Sequence, residues 1–385
     1  MLGAVYPTVG PQAGPGGGND EYRGLVLAAE YVNRHGGVKG RPVAITLVPV
    51  ASPEAAPGAV EQLAESGVSV VVGSYGSVVA RAAAPVAARH GLVYWETGAV
   101  GDVGGDAAPG RSFFRVAPSG VLLGRRAVEF VRDRLAPRLR RPGPLRYTVA
   151  YVDDAFGRAE ARGEVAEIRR SRLPLAAVLP YDPWHVDYAA LARRIAHART
   201  DVLIVASYME DAVELRRALL RARVSLAVNI GGCSAYVIPE FGRRLGPAAV
   251  GVFSSDKTGD LLPPRALVPE AAQELLWARR EFQRRYGHPL WEPGLSGFSG
   301  GIALLRWVLP AARDFSPPAV AESALRANLP LGSLPNGSGL LFGAPGTPQA
   351  GENLRAASVI WEWVAPYTRA LVWPPALATH PILFP

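Results

Sequence analysis

The feature that most constrains this chain is an alternation that repeats along most of its length: short apolar runs followed by longer runs with helical spacing. That order is the signature of parallel sheets covered by crossover helices. A strand near Leu2 to Pro7 leads into the loop Gly10 to Gly18. Asn19 or Asp20 can then cap a helix carrying Tyr22, Val26, Ala29 and Val32 until Gly36-Gly37 stops it. Strand Val43 to Val48, helix Glu54 to Ser66, strand Val68 to Val72, helix Ser77 to His90 and strands Leu92 to Trp95 and Phe113 to Val116 complete one doubly wound lobe.

The alternation restarts after Ala117-Pro118-Ser119. A helix from about Gly120 to Leu139 precedes strand Tyr147 to Tyr151, helix Gly157 to Arg170 and strand Leu175 to Leu179. Helix Asp187 to Arg199, strand Asp201 to Val205, helix Met209 to Ala222 and a short strand at Val228 to Ile230 follow. Strand Ala249 to Phe253 then precedes helical runs at Glu270 to Tyr286 and Pro293 to Ala311, a Gly/Pro-rich stretch, and a β-rich pair at Ser358 to Val364 and Arg369 to Trp373. The fold class expected is therefore α/β, with two doubly wound parallel-sheet lobes.

A chain of 385 residues favours two cores over one, and 49% hydrophobic against 19% charged residues lets both be buried. Forty-one basic residues against thirty-three acidic ones give a net charge of +8, but only Lys39 and Lys257 are lysines. The arginines are scattered, and the densest run, Arg134 to Arg146, is broken by Pro137, Pro142 and Pro144. No basic face interleaved with aromatics emerges, so nucleic acid is not an expected partner. Cys233 has no second cysteine to pair with. No leader precedes the opening strand, which is read as an export signal already removed, and no apolar stretch approaches the ~20 residues of a membrane helix.

Two loops after apolar strands carry the chemistry. In open α/β sheets, ligands bind beyond the carboxyl ends of the strands. Gly73-Ser74-Tyr75-Gly76-Ser77 joins a strand to a helix, so Ser77 falls where free amides and the helix dipole favour an anion such as a carboxylate. Glu96-Thr97-Gly98-Ala99 offers backbone polar groups and the Thr97 hydroxyl. The alternative is that Ser77 only caps its own helix and the glycines only turn the chain. The loop Gly10 to Gly18 lacks both the Lys-Ser/Thr of a phosphate loop and the spacing of a dinucleotide fingerprint. No cofactor is expected.

With these residues in place, the chain resembles the type I periplasmic binding proteins, in particular the branched-chain amino acid receptors of ABC transporters. The likeness rests on Gly3-Ala4-Val5-Tyr6-Pro7-Thr8-Val9-Gly10-Pro11, on Arg23-Gly24 through Asn33-Arg34-His35-Gly36-Gly37-Val38-Lys39-Gly40-Arg41-Pro42, and on the two loops. Tyr151 to Gly157, Asp201 to Val205 leading to Tyr208, and Phe282 to Gly287 extend it. The resemblance implies three crossovers, near Val116-Ala117-Pro118, Gly251-Val252-Phe253 and Pro330 to Pro335. The N-terminal lobe would then comprise 1–117 and 250–332, and the C-terminal lobe 118–249 and 333–385. It also implies hinged closure over a ligand in the cleft, a membrane permease as partner, and a periplasmic or extracellular location, secreted or lipid-anchored.

Carried over residue by residue, the resemblance gives the ligand carboxylate to Ser77, Thr97 and Ala99, and aromatics facing the cleft to Phe156 and Tyr208. Phe156 stands where the family usually has Tyr. The acid that pairs with a ligand ammonium in leucine-type receptors falls at or near Cys233, in Gly231-Gly232-Cys233-Ser234. A buried ammonium without a counter-charge costs several kcal/mol. Either Glu96, Asp154 or Asp256 takes that role, with Glu96 the best placed, or the ligand carries no ammonium. Tyr75, Trp95, Tyr208 and Phe298 are candidate walls, and Gly98 completes the second loop. Two further readings stay open: a cytoplasmic amide or amino acid sensor of the same fold, and a hydrolase using Cys233, for which no base among the six histidines is evident.

Overall fold

The computed structural model describes residues 1–139 and 143–383, so positions 140–142 of the arginine-rich run lie outside the described residues. The chain divides into two compact units, 1–119 with 257–357 and 120–256 with 358–385.

The first segment contributes β1 (Leu2–Tyr6), α1 (Gly18–Arg34), β2 (Ile45–Pro49), α2 (Ala56–Glu65), β3 (Val70–Gly73), α3 (Ser77–Arg89), β4 (Val93–Glu96) and β5 (Phe113–Arg115). Its five strands are all parallel in the order β2-β1-β3-β4-β5. The apolar runs read as strands are buried because helices cover the sheet. Val5, Val71 and Tyr94 share one core with Val60 and Leu63 of α2 and Val79, Ala83 and Val86 of α3.

In the second unit the chain forms α4 (Gly120–Phe130), β6 (Tyr147–Val152), α5 (Ala155–Arg170), β7 (Leu175–Tyr181), α6 (Tyr188–His197), β8 (Val202–Ala206), α7 (Met209–Arg221), β9 (Val228–Gly232), α8 (Pro239–Leu245) and β10 (Val252–Asp256). The helix expected to run to Leu139 leaves α-geometry at Val131, where a π-helical turn and a 3₁₀ turn take over. Back in the first unit come α9 (Pro269–Tyr286) and α10 (Glu292–Ile302), the latter continued by a π-helical stretch through Val308. Finally, β11 (Val359–Ala365) and β12 (Thr368–Trp373) complete a sheet ordered β12-β11-β10-β9-β8-β6-β7. It is parallel from β10 to β7, whereas β11 and β12 add antiparallel to its edge.

Two expected crossovers shift. Strand β10, assigned by the sequence reading to the first lobe, pairs with β9 and β11 and so belongs to the second unit, and the chain leaves that unit only after Asp256. Residues 333–357, assigned to the second lobe, fold back on the first: Arg115 N–H donates to Gly351 O at 2.8 Å, and Asn353 N–H to Arg115 O at 3.0 Å. The Asn353 amide also donates to Val116 O and Gly339 O, which ties this irregular stretch to the end of β5.

Helices α1 and α10 pack backbone to backbone. A Cβ at Gly24 would lie 2.0 Å from Gly294 O, and one at Gly297 would lie 1.9 Å from Glu21 O, so only hydrogen fits at either position.

Candidate functional site

In the first unit the loops that follow β1, β3 and β4 leave the same edge of the sheet, because all three strands run parallel. Gly76 precedes α3 with φ +90°, a conformation open to glycine at little cost, and Ser77 opens the helix. The Ser77 hydroxyl does not cap its own helix. Its oxygen accepts the Gly101 N–H at 2.9 Å, so the loop beyond Ala99 is tied to the start of α3. With one lone pair taken by Gly101, the hydroxyl still has its hydrogen to give, and Ser77 holds it at the positive end of a 13-residue helix.

The second loop is organised by Glu96. Its Oε1 accepts three backbone N–H bonds, from Ser74 at 2.8 Å, Gly98 at 2.9 Å and Ala99 at 2.8 Å. Its Oε2 is buried with no hydrogen-bond partner among the described residues. Burial pushes this carboxyl up to about 7, against the opposing pull of the backbone donors and of Arg115. The sequence reading gave the Glu96 carboxylate to a ligand ammonium and the Ala99 backbone to a ligand carboxylate. The structure instead bonds them to each other.

The Thr97 hydroxyl likewise points inward. It donates to Glu21 Oε1 at 2.6 Å and lies 2.7 Å from Tyr6 Oη. Glu21 is fully buried and its carboxyl is held well above the usual range, first by burial and then by Glu96, with the Thr97 bond and Lys257 pulling the other way. Lys257 Nζ donates to Gly98 O at 3.0 Å and pairs with Glu292 Oε1 at 3.2 Å, and Ser296 also donates to that oxygen. A Cβ at Gly98 would lie 2.3 Å from Glu21 Oε2, which explains glycine there.

Tyr75 is partly exposed beside Gly76, where Gln12 Oε1 would sit 2.5 Å from an added Cβ. Gln12 thus brings the glycine-rich loop after β1 to the loop Gly73 to Ser77. Nothing in the pattern Gly10 to Gly18 marks Gln12, because only the folded approach of the two loops brings it there. Phe298 is not a wall: it is fully buried and packs edge-on to Tyr31 and tilted against Trp277. Trp95 is core too, donating to Gly300 O at 2.9 Å and meeting Phe342 edge-on.

In the second unit the remaining candidates lie at the carboxyl ends of its parallel strands. Asp154 follows β6 and caps α5, its Oδ1 accepting from Phe156 and Gly157 N–H at 2.9 and 3.0 Å. Its Oδ2 accepts the Tyr208 hydroxyl at 2.5 Å, and the Phe156 and Tyr208 rings stand 5.5 Å apart. Asp154 is therefore occupied within its own unit. Cys233 follows β9 with φ +75° and is partly exposed, and Asp256 ends β10 fully buried.

Two α/β units, the first on a parallel sheet and the second on a sheet that is parallel but for β11 and β12, have the architecture of type I periplasmic binding proteins. The chain belongs to the periplasmic binding protein family, whose sequence profile it matches over residues 1–337. Among curated relatives it is 26% identical over 370 residues to a protein named Leu/Ile/Val-binding protein homolog 8 of Brucella abortus, covering 94% of this chain and 87% of that one. Among solved structures it superposes with TM-score 0.78 on a leucine binding protein of Thermotoga maritima (14% identity, 97% of each chain). With TM-score 0.73 it superposes on a fatty acid ABC transporter substrate-binding protein of Thermomonospora curvata (17% identity, 96% and 90%). The family is one of substrate-binding proteins. Among the described residues no helix is long and apolar enough to cross a membrane.

Proposed function

We propose that this chain is the extracytoplasmic solute-binding protein of an ABC transporter, capturing a small carboxylate, an amino acid or a close relative, for delivery to a membrane permease. The observation that carries the reading is Ser77: a buried hydroxyl with its oxygen already bonded to Gly101 N–H, at the N-terminus of α3. Such a group suits an acceptor-only partner, and a carboxylate is one. Leucine and fatty acids, for which the two structural neighbours above are named, share this head group and differ in the rest.

A thermal-shift and calorimetric screen tests the proposal by pairing each carboxylate with its amide: leucine with leucinamide, phenylacetate with phenylacetamide, hexanoate with hexanamide. Binding of a carboxylate at micromolar or lower Kd, with loss of about tenfold or more on conversion to the amide, supports the reading. Equal affinity for both members of every pair, or no binding by any carboxylate, overturns it.

A further inference from the structure

We propose that Glu96 is a positioning residue for this binding site, an internal anion that holds the two loops in register, and that the site is assembled when Glu96 is ionised and loosens when it takes up a proton. The inference rests on the functional reading above. One carboxylate oxygen gathers Ser74 N–H from the loop after β3 and Gly98 and Ala99 N–H from the loop after β4. Ser74 O accepts from Ala99 N–H at 3.0 Å, closing the same junction from the other side. Ser77 lies three residues beyond Ser74, and Gly101, which orients its hydroxyl, two residues beyond Ala99. The register of Ser77 and Gly101 therefore depends on the junction that Glu96 makes.

The groups facing Glu96 explain why it is the member that responds. Glu21 comes from α1, Tyr6 from β1, Tyr94 from β4 and Arg115 from β5, while Lys257, after β10, and Glu292 of α10 act on Glu21. Lys257 is paired with Glu292 at 3.2 Å and donates to Gly98 O. Burial, and then Glu96, hold the Glu21 carboxyl well above the usual carboxylate range. Arg115 is committed to Glu352 Oε1 at 2.7 Å and to Gly101 O. Glu96 is left as the carboxyl whose burial is offset by three donors, which places its titration near neutrality. Hydrogen bonds to an ionised acceptor are about twice as strong as those to a neutral one, so protonation weakens all three links together.

The test measures affinity between pH 6 and 8 for leucine, phenylacetate and hexanoate, whose carboxylates stay ionised throughout. If only the ionised form assembles the site, affinity falls by about tenfold from pH 8 to pH 6 with unchanged far-UV dichroism. Glu96→Gln, which keeps an acceptor without the charge, binds weakly at both pH values with a flat profile, while Ser77→Ala lowers affinity yet keeps the slope. A flat profile in the unmodified protein, or affinity that rises on acidification, overturns the proposal.

A ligand-free arm separates this failure from failure of the functional reading. The ¹⁵N amide signals of Ser74, Gly98 and Ala99 should titrate together near pH 7 and lose that transition in Glu96→Gln. Independent or absent titration refutes the positioning role even if no carboxylate binds.

Discussion

Gly101 N–H donates to Ser77 Oγ at 2.9 Å, and this bond turns a serine at a helix start into a directed donor. Replacing Ser77 by Ala leaves the helix N-terminus in place but removes the hydroxyl. Hydrogen bonds to charged groups contribute about 1.5–3 kcal/mol, so carboxylate affinity should fall about tenfold to a hundredfold by calorimetry, with little change in Tm. Ser77→Thr, which restores a hydroxyl, should recover part of the loss.

Thr97 was expected to share the ligand with Ser77, but its hydroxyl serves Glu21 and Tyr6 instead. Thr97→Val strands two buried polar groups and should destabilise the fold by about 1–3 kcal/mol in urea unfolding. Ligand affinity of the folded variant should stay within about threefold of the parent. A large loss of affinity without loss of stability would return Thr97 to the ligand.

Gly24 faces Gly294 across the α1–α10 contact with no room for a methyl group. Overpacking typically costs about 1–3 kcal/mol, and here the obstruction is backbone that cannot rotate away. Gly24→Ala should therefore lower Tm by several degrees, whereas Gly58→Ala, on α2 with open space around it, should not.

Glu164 on α5 is buried where α5 meets Gly124 of α4, and burial alone pushes its carboxyl up to about 8. Its value in the unfolded chain is about 4.3. The folded state thus binds the extra proton between those values, and the stability it contributes is present below pH ~4.3 and lost as pH rises toward 8. Glu164→Gln should remove this slope and raise stability at pH 8 by on the order of 3 kcal/mol, read from urea midpoints at pH 5 and 8.

The order of strands and helices, and the two loops, were legible because alternation and strand-to-helix punctuation are local properties. Ser77 and Glu96 could be placed at strand tips because they follow the apolar runs Val68 to Val72 and Leu92 to Trp95. What a side chain at a strand tip bonds to was not legible. Glu21 reaches Thr97 from 76 positions away, and the three amides on Glu96 come together only once β3 and β4 pair. Strand β10 was assigned to the wrong unit for the same reason: the run Ala249 to Phe253 reads as a strand in either lobe, and only the neighbours β9 and β11 of the strand formed, Val252–Asp256, fix its sheet. Helices α8 and Pro317–Arg326 were missed because both are short and begin with proline in stretches that read as loop.

The most direct test is a crystal structure of the protein with the tightest-binding carboxylate from the paired screen. The account predicts a carboxylate oxygen within 2.6–3.0 Å of Ser77 Oγ, with Glu96 Oε1 still holding Ser74, Gly98 and Ala99 and the Thr97 hydroxyl still on Glu21. A ligand carboxylate bound away from the start of α3, or one that displaces Glu96 from those three amides, would contradict it.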